Sequence, residues 1–236
     1  MKEFIQSKAQ IVIFASGHGS NFRALLAQFG PSNPMASVSL LITDRPTCGA
    51  SLFATENAVP VVAAPLTSQM TTNRTLHEEQ MLKAIQNHIL KGTKSQNGDT
   101  FIPKTIIVLA GYMRIMSKTF LCKLNNIWQN PDIVNLHPAH LDQYKGPKGY
   151  ARAVAGLFPH WGITVHRVTA QVDQGEIIGT QQILVYPHES AFELQMRNQL
   201  LEHDLLIQCI QGLISGSPKS HALTDSPRTS NHSTIQ

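Results

Sequence analysis

Asn135 and His137 are the residues whose types and spacing first suggest chemistry: they close the run Ile133-Val134-Asn135-Leu136-His137, immediately before Pro138. In an extended segment side chains alternate faces, so positions i and i+2 share one side, and an amide and an imidazole would stand together at a strand end. Pro138 has no backbone N–H and biases His137 towards an extended backbone, which stops the strand there. An imidazole holds or releases a proton near neutral pH, and an amide N–H donates to an oxygen on which charge develops. The pair therefore suits proton transfer beside a polarised carbonyl. The plainer alternative is that both residues cap turns through side-chain-to-backbone hydrogen bonds.

The elements that must position this pair begin with Ile11 to Ala15, a continuous apolar run of the kind found in a parallel strand covered on both faces. It leads into Ser16-Gly17-His18-Gly19-Ser20-Asn21, and Phe22, Leu25, Leu26 and Phe29 then recur at helical spacing. The glycine stretch is thus a strand-to-helix turn, whose free backbone N–H groups suit a phosphate. A dinucleotide fingerprint would need a third Gly where Phe22 stands, although Asp44, after a strand over Val38 to Ile42, could imitate its ribose-binding acid. A monophosphate cradle fits better, with a ligand-free glycine turn as the bland reading.

Helices over 50–57 and 71–90, a strand over 59–63 and a polar surface loop over 91–104 follow. The next strand, Thr105 to Ala110, ends in Gly111-Tyr112-Met113-Arg114-Ile115-Met116. Arg114 suits an anionic or carbonyl-rich ligand, or a local ion pair. Ser117 caps a helix through Leu124, ahead of the strand carrying Asn135. This alternation predicts an α/β fold with an open, mostly parallel Rossmann-like sheet flanked by helices, in which ligands bind beyond the strand C-termini. Asn21, Arg114, Asn135 and His137 are all expected at that edge. A helix over 150–155, a strand over 162–168, an Asp173-x-Gly175 turn, a return strand over 181–186 and an amphipathic helix over 190–214 with Glu202, His203 and Asp204 complete the chain. Residues 1–10 read as an N-terminal extension, 11–215 as one domain, and 216–236, rich in Ser, Thr, Pro and His, as a disordered tail.

Composition narrows the function classes. The net charge of +4 is spread over scattered Lys and Arg, which argues against a nucleic-acid groove and leaves anionic small molecules open. Cys48, Cys122 and Cys209 are far apart, as expected for reduced thiols of a cytoplasmic protein rather than a disulfide framework. No apolar leader core stands in Met1 to Gln10, and no run reaches membrane-spanning length. His137 and His140 find no further ligands at metal spacing, so no metal is expected.

Ser-Gly-His-Gly-Ser-Asn (16–21), Leu-Ala-Gly-Tyr-Met-Arg-Ile (109–115), Asn-Leu-His-Pro (135–138) and Thr-Val-His-Arg-Val through Asp-Gln-Gly (164–175) occur in this order. On these motifs the stretch from Ile11 to Ile214 resembles the phosphoribosylglycinamide formyltransferases, folate-dependent enzymes of purine synthesis. The resemblance implies a formyltransferase fold and formyl transfer from 10-formyltetrahydrofolate to the amine of glycinamide ribonucleotide. It implies a catalytic Asn135, His137 and Asp173, and acceptor binding by Gly19, Ser20, Asn21, Arg74 and Glu202. Donor binding would fall to Met113, Arg114, Ile115 and Asn135, in a monomer or homodimer whose partners are small molecules. The sequence departs from the family after His137: Pro138-Ala139-His140-Leu141-Asp142 replaces a Pro-Ser-Leu-Leu-Pro, and Gly146-Pro147-Lys148-Gly149-Tyr150 replaces a loop that carries a His. Lys148 or Tyr150 is expected to contact the ribose or phosphate side of the acceptor in its place. Another amine acceptor, such as a nucleotide-linked amino sugar, or hydrolysis of formyltetrahydrofolate is the alternative reaction. A non-catalytic nucleotide-binding module would not need Asn135, His137 and Asp173 together.

Overall fold

The computed structural model describes residues 8–68, 73–92, 103–141, 149–156, 161–216 and 221–223. Strand β1 (Ala9–Phe14) is followed by α1 (Ser20–Gln28), β2 (Ala36–Thr43), α2 (Gly49–Glu56), β3 (Val61–Ala63), α3 (Arg74–Gly92), β4 (Thr105–Leu109), α4 (Lys118–Trp128) and β5 (Asp132–His137). Then come α5 (Gly149–Val154), β6 (Trp161–Arg167), β7 (Ile177–Ile183), α6 (Ala191–Ser215) and the short β8 (His221–Leu223). Among the described residues these strands form one sheet in the order β3-β2-β1-β4-β5-β6-β7-β8. The strands from β3 to β5 are parallel, whereas β6 runs against β5 and β7 against β6. This is the mostly parallel α/β sheet that the sequence predicts, continued by an antiparallel C-terminal extension.

The strand pattern explains the helices' division between two faces. Ile11 and Ile13 of β1, Ile106 and Val108 of β4 and Val134 and Leu136 of β5 join a core that includes Phe22 and Leu25 of α1, Ala50 of α2, Ala153 of α5 and Leu205 of α6. Their sequence neighbours Val12, Phe14, Ile107, Leu109 and Ile133 face the other way, onto Met81 and Ile85 of α3 and Phe120 and Leu124 of α4. Alternation of this kind buries both faces of a central strand, and each large apolar side chain so buried contributes about 1.5–3 kcal/mol. Asn135 and His137 lie two and four residues beyond Ile133 and so continue its face.

Local signals set several boundaries. The Ser117 hydroxyl accepts from the Phe120 N–H at 3.1 Å and starts α4, and a reciprocal capping box between Ser190 and Glu193 starts α6. The helix expected over 71–90 is seen from Arg74. The return strand expected over 181–186 instead occupies Ile177–Ile183, because β7 pairs with β6 from Trp161↔Ile183 to His166↔Ile177. Leu184 and Tyr186 then leave the sheet and are exposed. Part of the segment expected as a disordered tail, His221–Leu223, pairs parallel with Gly179–Gln181 and covers backbone groups on that edge. The remainder of 217–236, the loop 142–148 with Lys148, and 93–102 of the expected polar loop lie outside the described residues. Among the described residues no helix is long and apolar enough to cross a membrane.

One turn is held unusually close. The Arg167 N–H donates to the Glu176 carbonyl at 2.8 Å, its guanidinium donates to Glu176 at 3.0 Å and to Asp132 at 2.5 Å, and a Cβ on Gly175 would lie 1.7 Å from the Arg167 carbonyl oxygen. Only glycine fits there. Gly175→Ala is expected to push the 168–176 turn off β6 and lower stability by about 1–3 kcal/mol, read as a fall in the thermal midpoint; an unchanged midpoint would contradict this packing.

Candidate active site

Antiparallel register brings two strand ends together. Asn135 pairs with His166 and His137 with Thr164, so the side chains that continue the α3/α4 face of β5 meet those on the matching face of β6. The Asn135 amide nitrogen lies 3.2 Å from His166 Nε2, and His166 Nδ1 lies 2.9 Å from the Arg167 carbonyl oxygen. A carbonyl only accepts, so Nδ1 carries the proton, and the Nε2 of the neutral ring accepts from Asn135. Burial keeps His166 below the usual histidine range, against the Arg167 hydrogen bond and the Asp173 charge, which favour the imidazolium. Asn135 is therefore fixed with its amide nitrogen towards the cavity rim, and one N–H remains for another oxygen.

Asp173 reaches the same point from the turn after β6. One carboxylate oxygen lies 3.6 Å from His137 Nδ1 and the other 3.7 Å from His166 Nε2, with all three side chains largely buried. Asp173 has φ +53°, a left-handed conformation that Asp and Asn adopt more readily than most residues. Asn135, His166 and Asp173 line a cavity of about 320 Å³, together with Leu109, Val168 and the 112–116 segment.

That segment is anchored from below and behind. Tyr112 packs edge-on against Phe14 with ring centroids 5.2 Å apart, and Met116 is buried, whereas Met113 and Ile115 are 68 % and 56 % exposed beside the cavity. Ser16 accepts from the Met113 N–H at 3.1 Å and donates to Asp44 at 2.6 Å, and Arg114 Nε donates to the other Asp44 oxygen at 2.8 Å. Burial alone would raise the Asp44 pKa, but the hydrogen bonds from Ser16 and Arg114 and the guanidinium charge hold it below the ordinary value of 3.8. Asp44 thus serves Arg114, which removes it as a ribose-binding acid. Arg114 makes the local pair and also lines the cavity.

The glycine turn forms a second part of the site on the other face. Gly19 has φ +78°, and a Cβ there would meet Ala50 Cβ at 2.7 Å and its Cα at 2.9 Å, so α1 starts from a conformation and a spacing that require glycine. No side chain caps the helix, leaving its first N–H groups available to an anion. Across from Asn21 stands Glu202 of α6, which accepts a short hydrogen bond from the Tyr150 hydroxyl. Burial pushes the Glu202 pKa up, opposed by hydrogen bonding from Tyr150 and Asn21.

Residues 9–210 match the family model described as formyl transferase. The chain belongs to the formyl transferase family. A phosphoribosylglycinamide formyltransferase of Bacillus subtilis is 27% identical over 205 residues, 87% of this chain and 94% of the relative. The crystal structure of a phosphoribosylglycinamide formyltransferase from Brucella melitensis superposes with a TM-score of 0.69 at 28% identity, covering 91% of this chain and 100% of that one. A formyltetrahydrofolate deformylase from Burkholderia mallei shares the fold, with a TM-score of 0.68 at 20% identity over 90% of this chain and 67% of that one.

In this formyl transferase Asn135, His137 and Asp173 come together, as do Gly19, Ser20, Asn21 and Glu202, while Met113, Arg114 and Ile115 rim the cavity beside Asn135. Arg74 is the exception. It stands at the start of α3, on the opposite face of the sheet from α1, 3.9 Å from Glu78 and lining an adjoining cavity of about 300 Å³ that shares the 112–116 wall. Tyr150, expected against the acceptor, donates its hydroxyl to Glu202. His166 was not singled out by the sequence; the alternation of β6 places it on the face of Thr164, but its partner follows only from the strand register.

Because the folded pKa of Asp44 is depressed, its contribution to stability is present above the unfolded value and is lost as pH falls through the lower folded one. Asp44→Asn is expected to cost roughly 2 kcal/mol at pH 7, with the gap to wild type closing below about pH 4 in denaturant titrations. A gap independent of pH would show that the charge is immaterial.

Proposed function

We propose that this formyl transferase moves the formyl group of 10-formyltetrahydrofolate to the primary amine of glycinamide ribonucleotide, in de novo purine biosynthesis. The observation that carries the reading is that Asp173, which lines the cavity with Asn135 and His166, also faces His137, in a fold whose glycine turn suits a phosphate. The naming of relatives as phosphoribosylglycinamide formyltransferases supports the same acceptor.

The amine nitrogen attacks the formyl carbon directly, the carbonyl oxygen takes on negative charge, and the bond from that carbon to the folate nitrogen breaks as the folate nitrogen gains a proton. The Asn135 N–H not used by His166 donates to the developing oxyanion. His137 takes the proton that the attacking amine loses and returns it to the folate nitrogen, and the Asp173 carboxylate facing Nδ1 stabilises the imidazolium between those two transfers. No covalent enzyme intermediate is required. The folate lies in the cavity behind Asn135, its ring against the exposed Met113 and Ile115 and its anionic end towards Arg114. The acceptor phosphate rests on Gly19, Ser20 and Asn21, with Glu202 receiving donors from the sugar or amine side.

Wild-type protein is expected to formylate glycinamide ribonucleotide with 10-formyltetrahydrofolate. His137→Ala should lower turnover by about two to four orders of magnitude and Asn135→Ala by about a hundredfold, both in protein that remains folded. Formyl-transfer assays decide this: a His137→Ala variant keeping half the wild-type rate would eliminate the proposed centre.

A further inference from the structure

Tyr150 has no role in the proton transfers, yet it is placed with unusual care. The residue is 9 % exposed on α5, and α5 begins at a contact with the end of the β5 segment: a Cβ on Gly149 would lie 3.0 Å from the Pro138 carbonyl oxygen and 2.9 Å from the Trp161 ring. The Trp161 indole N–H donates to that same Pro138 carbonyl at 3.1 Å. The residue after His137 thus serves as the seat of α5, and the phenol hydroxyl is located relative to the reacting centre by packed backbone rather than by a free side chain.

From this seat the hydroxyl donates to Glu202 Oε1, with Asn21 contributing from the start of α1. Among the described residues Glu202 has no ion-pair partner. A carboxylate withdrawn from water normally recruits Arg or Lys, because an uncompensated buried charge is costly. Here two neutral donors hold it instead, and of the about four lone-pair sites a carboxylate offers, Tyr150 and Asn21 take two.

We propose that Tyr150 is a positioning residue for acceptor recognition: its hydroxyl fixes the Glu202 carboxylate beside Asn21 so that the remaining lone pairs receive the hydroxyls or amine of a phosphorylated acceptor anchored on the Gly19 turn. The inference rests on the acceptor site assigned above and adds to it the element that orients its only described acid. Because Tyr150 and Pro138 are in one packed unit, the same contact sets the distance between the acceptor's donors and His137. A donor brought by the ligand completes the carboxylate's hydrogen bonding, which a phosphorylated compound without hydroxyls or amine cannot do.

The test is a double-mutant cycle with Tyr150→Phe, Glu202→Gln and the pair, read as dissociation constants for glycinamide ribonucleotide, ribose 5-phosphate and 10-formyltetrahydrofolate alongside thermal midpoints. Tyr150→Phe is expected to weaken both phosphorylated ligands about tenfold, the worth of a hydrogen bond to a charged group. Folate affinity should be unchanged, and the double variant should be no weaker than Glu202→Gln alone, since the two losses share one interaction. Additive losses, or equal weakening of folate and acceptor, would overturn the positioning role and leave Tyr150 as packing. Wild type that binds ribose 5-phosphate but does not formylate glycinamide ribonucleotide would refute the proposed acceptor while the cycle on ribose 5-phosphate still decides this inference. Wild type that binds neither phosphorylated ligand would overturn both.

Discussion

The reversal of β6 against β5 is the constraint from which the active centre follows. A parallel strand in that place would require a crossover connection and would bring its own C-terminal end to the site. An antiparallel strand instead passes the site with its interior, so His166 stands opposite Asn135 before the chain has turned. The turn that follows then delivers Asp173 to the edge where β5 ends, within 3.6 Å of His137. Three polar side chains from one hairpin and its neighbour are thus fixed by backbone hydrogen bonds, which suits chemistry that depends on orientation at distances of a few tenths of an ångström. Neutral His166 has a particular part in this: as an acceptor at Nε2 it settles which end of the Asn135 amide points to the cavity.

The parallel half of the sheet contributes a different kind of rigidity. Ser16 follows β1, Asp44 follows β2 and Arg114 follows β4, and the three are joined through a single buried carboxylate. Removing Ser16 or Arg114 would leave the buried Asp44 carboxylate short of a partner, so these strand ends behave as a unit. A consequence is that Met113 and Ile115 can remain exposed without the segment collapsing, since its backbone is tied to Ser16, Tyr112 packs half-buried against Phe14 and Met116 is buried. An apolar rim that stays open in water is what a flat aromatic ligand requires.

Most of the parallel half was legible from the chain because its signals are local. Ile11 to Ala15 and Thr105 to Ala110 are short apolar runs, and Ser117 is a helix cap that reads the same in sequence and structure. The motif around Asn135 and His137 gave their shared face through period-two alternation alone. What escaped depends on partners distant in sequence. His166 needs the β5–β6 register. Tyr150 needs α6 opposite α5. Arg74 was assigned across sequence without a fixed spacing, and the side of the sheet on which α3 packs decides against its joining the Gly19 turn. The earlier start of β7 has the same origin, since Ile177 to Gly179 read as turn-flanking residues until β6 is present to pair with them.

The backbone of Asp173 carries a further implication for how this centre can change. At φ +53° a β-branched or bulky residue is strained, so the position admits essentially Gly, Asn and Asp without a penalty of about 1 kcal/mol or more. Of these three only Asp is charged. The neighbouring Gly175 is locked by its contact with the Arg167 carbonyl, so the turn cannot readily be rebuilt to present a longer acid such as Glu. The evolutionary neighbourhood of the site is therefore narrow in one direction and wide in another: the acid that faces both imidazoles has almost no accessible substitute, whereas the exposed Met113 and Ile115 can drift in size and shape. Divergence among proteins built on this turn should accumulate in the cavity rim before it touches the Asp173 turn.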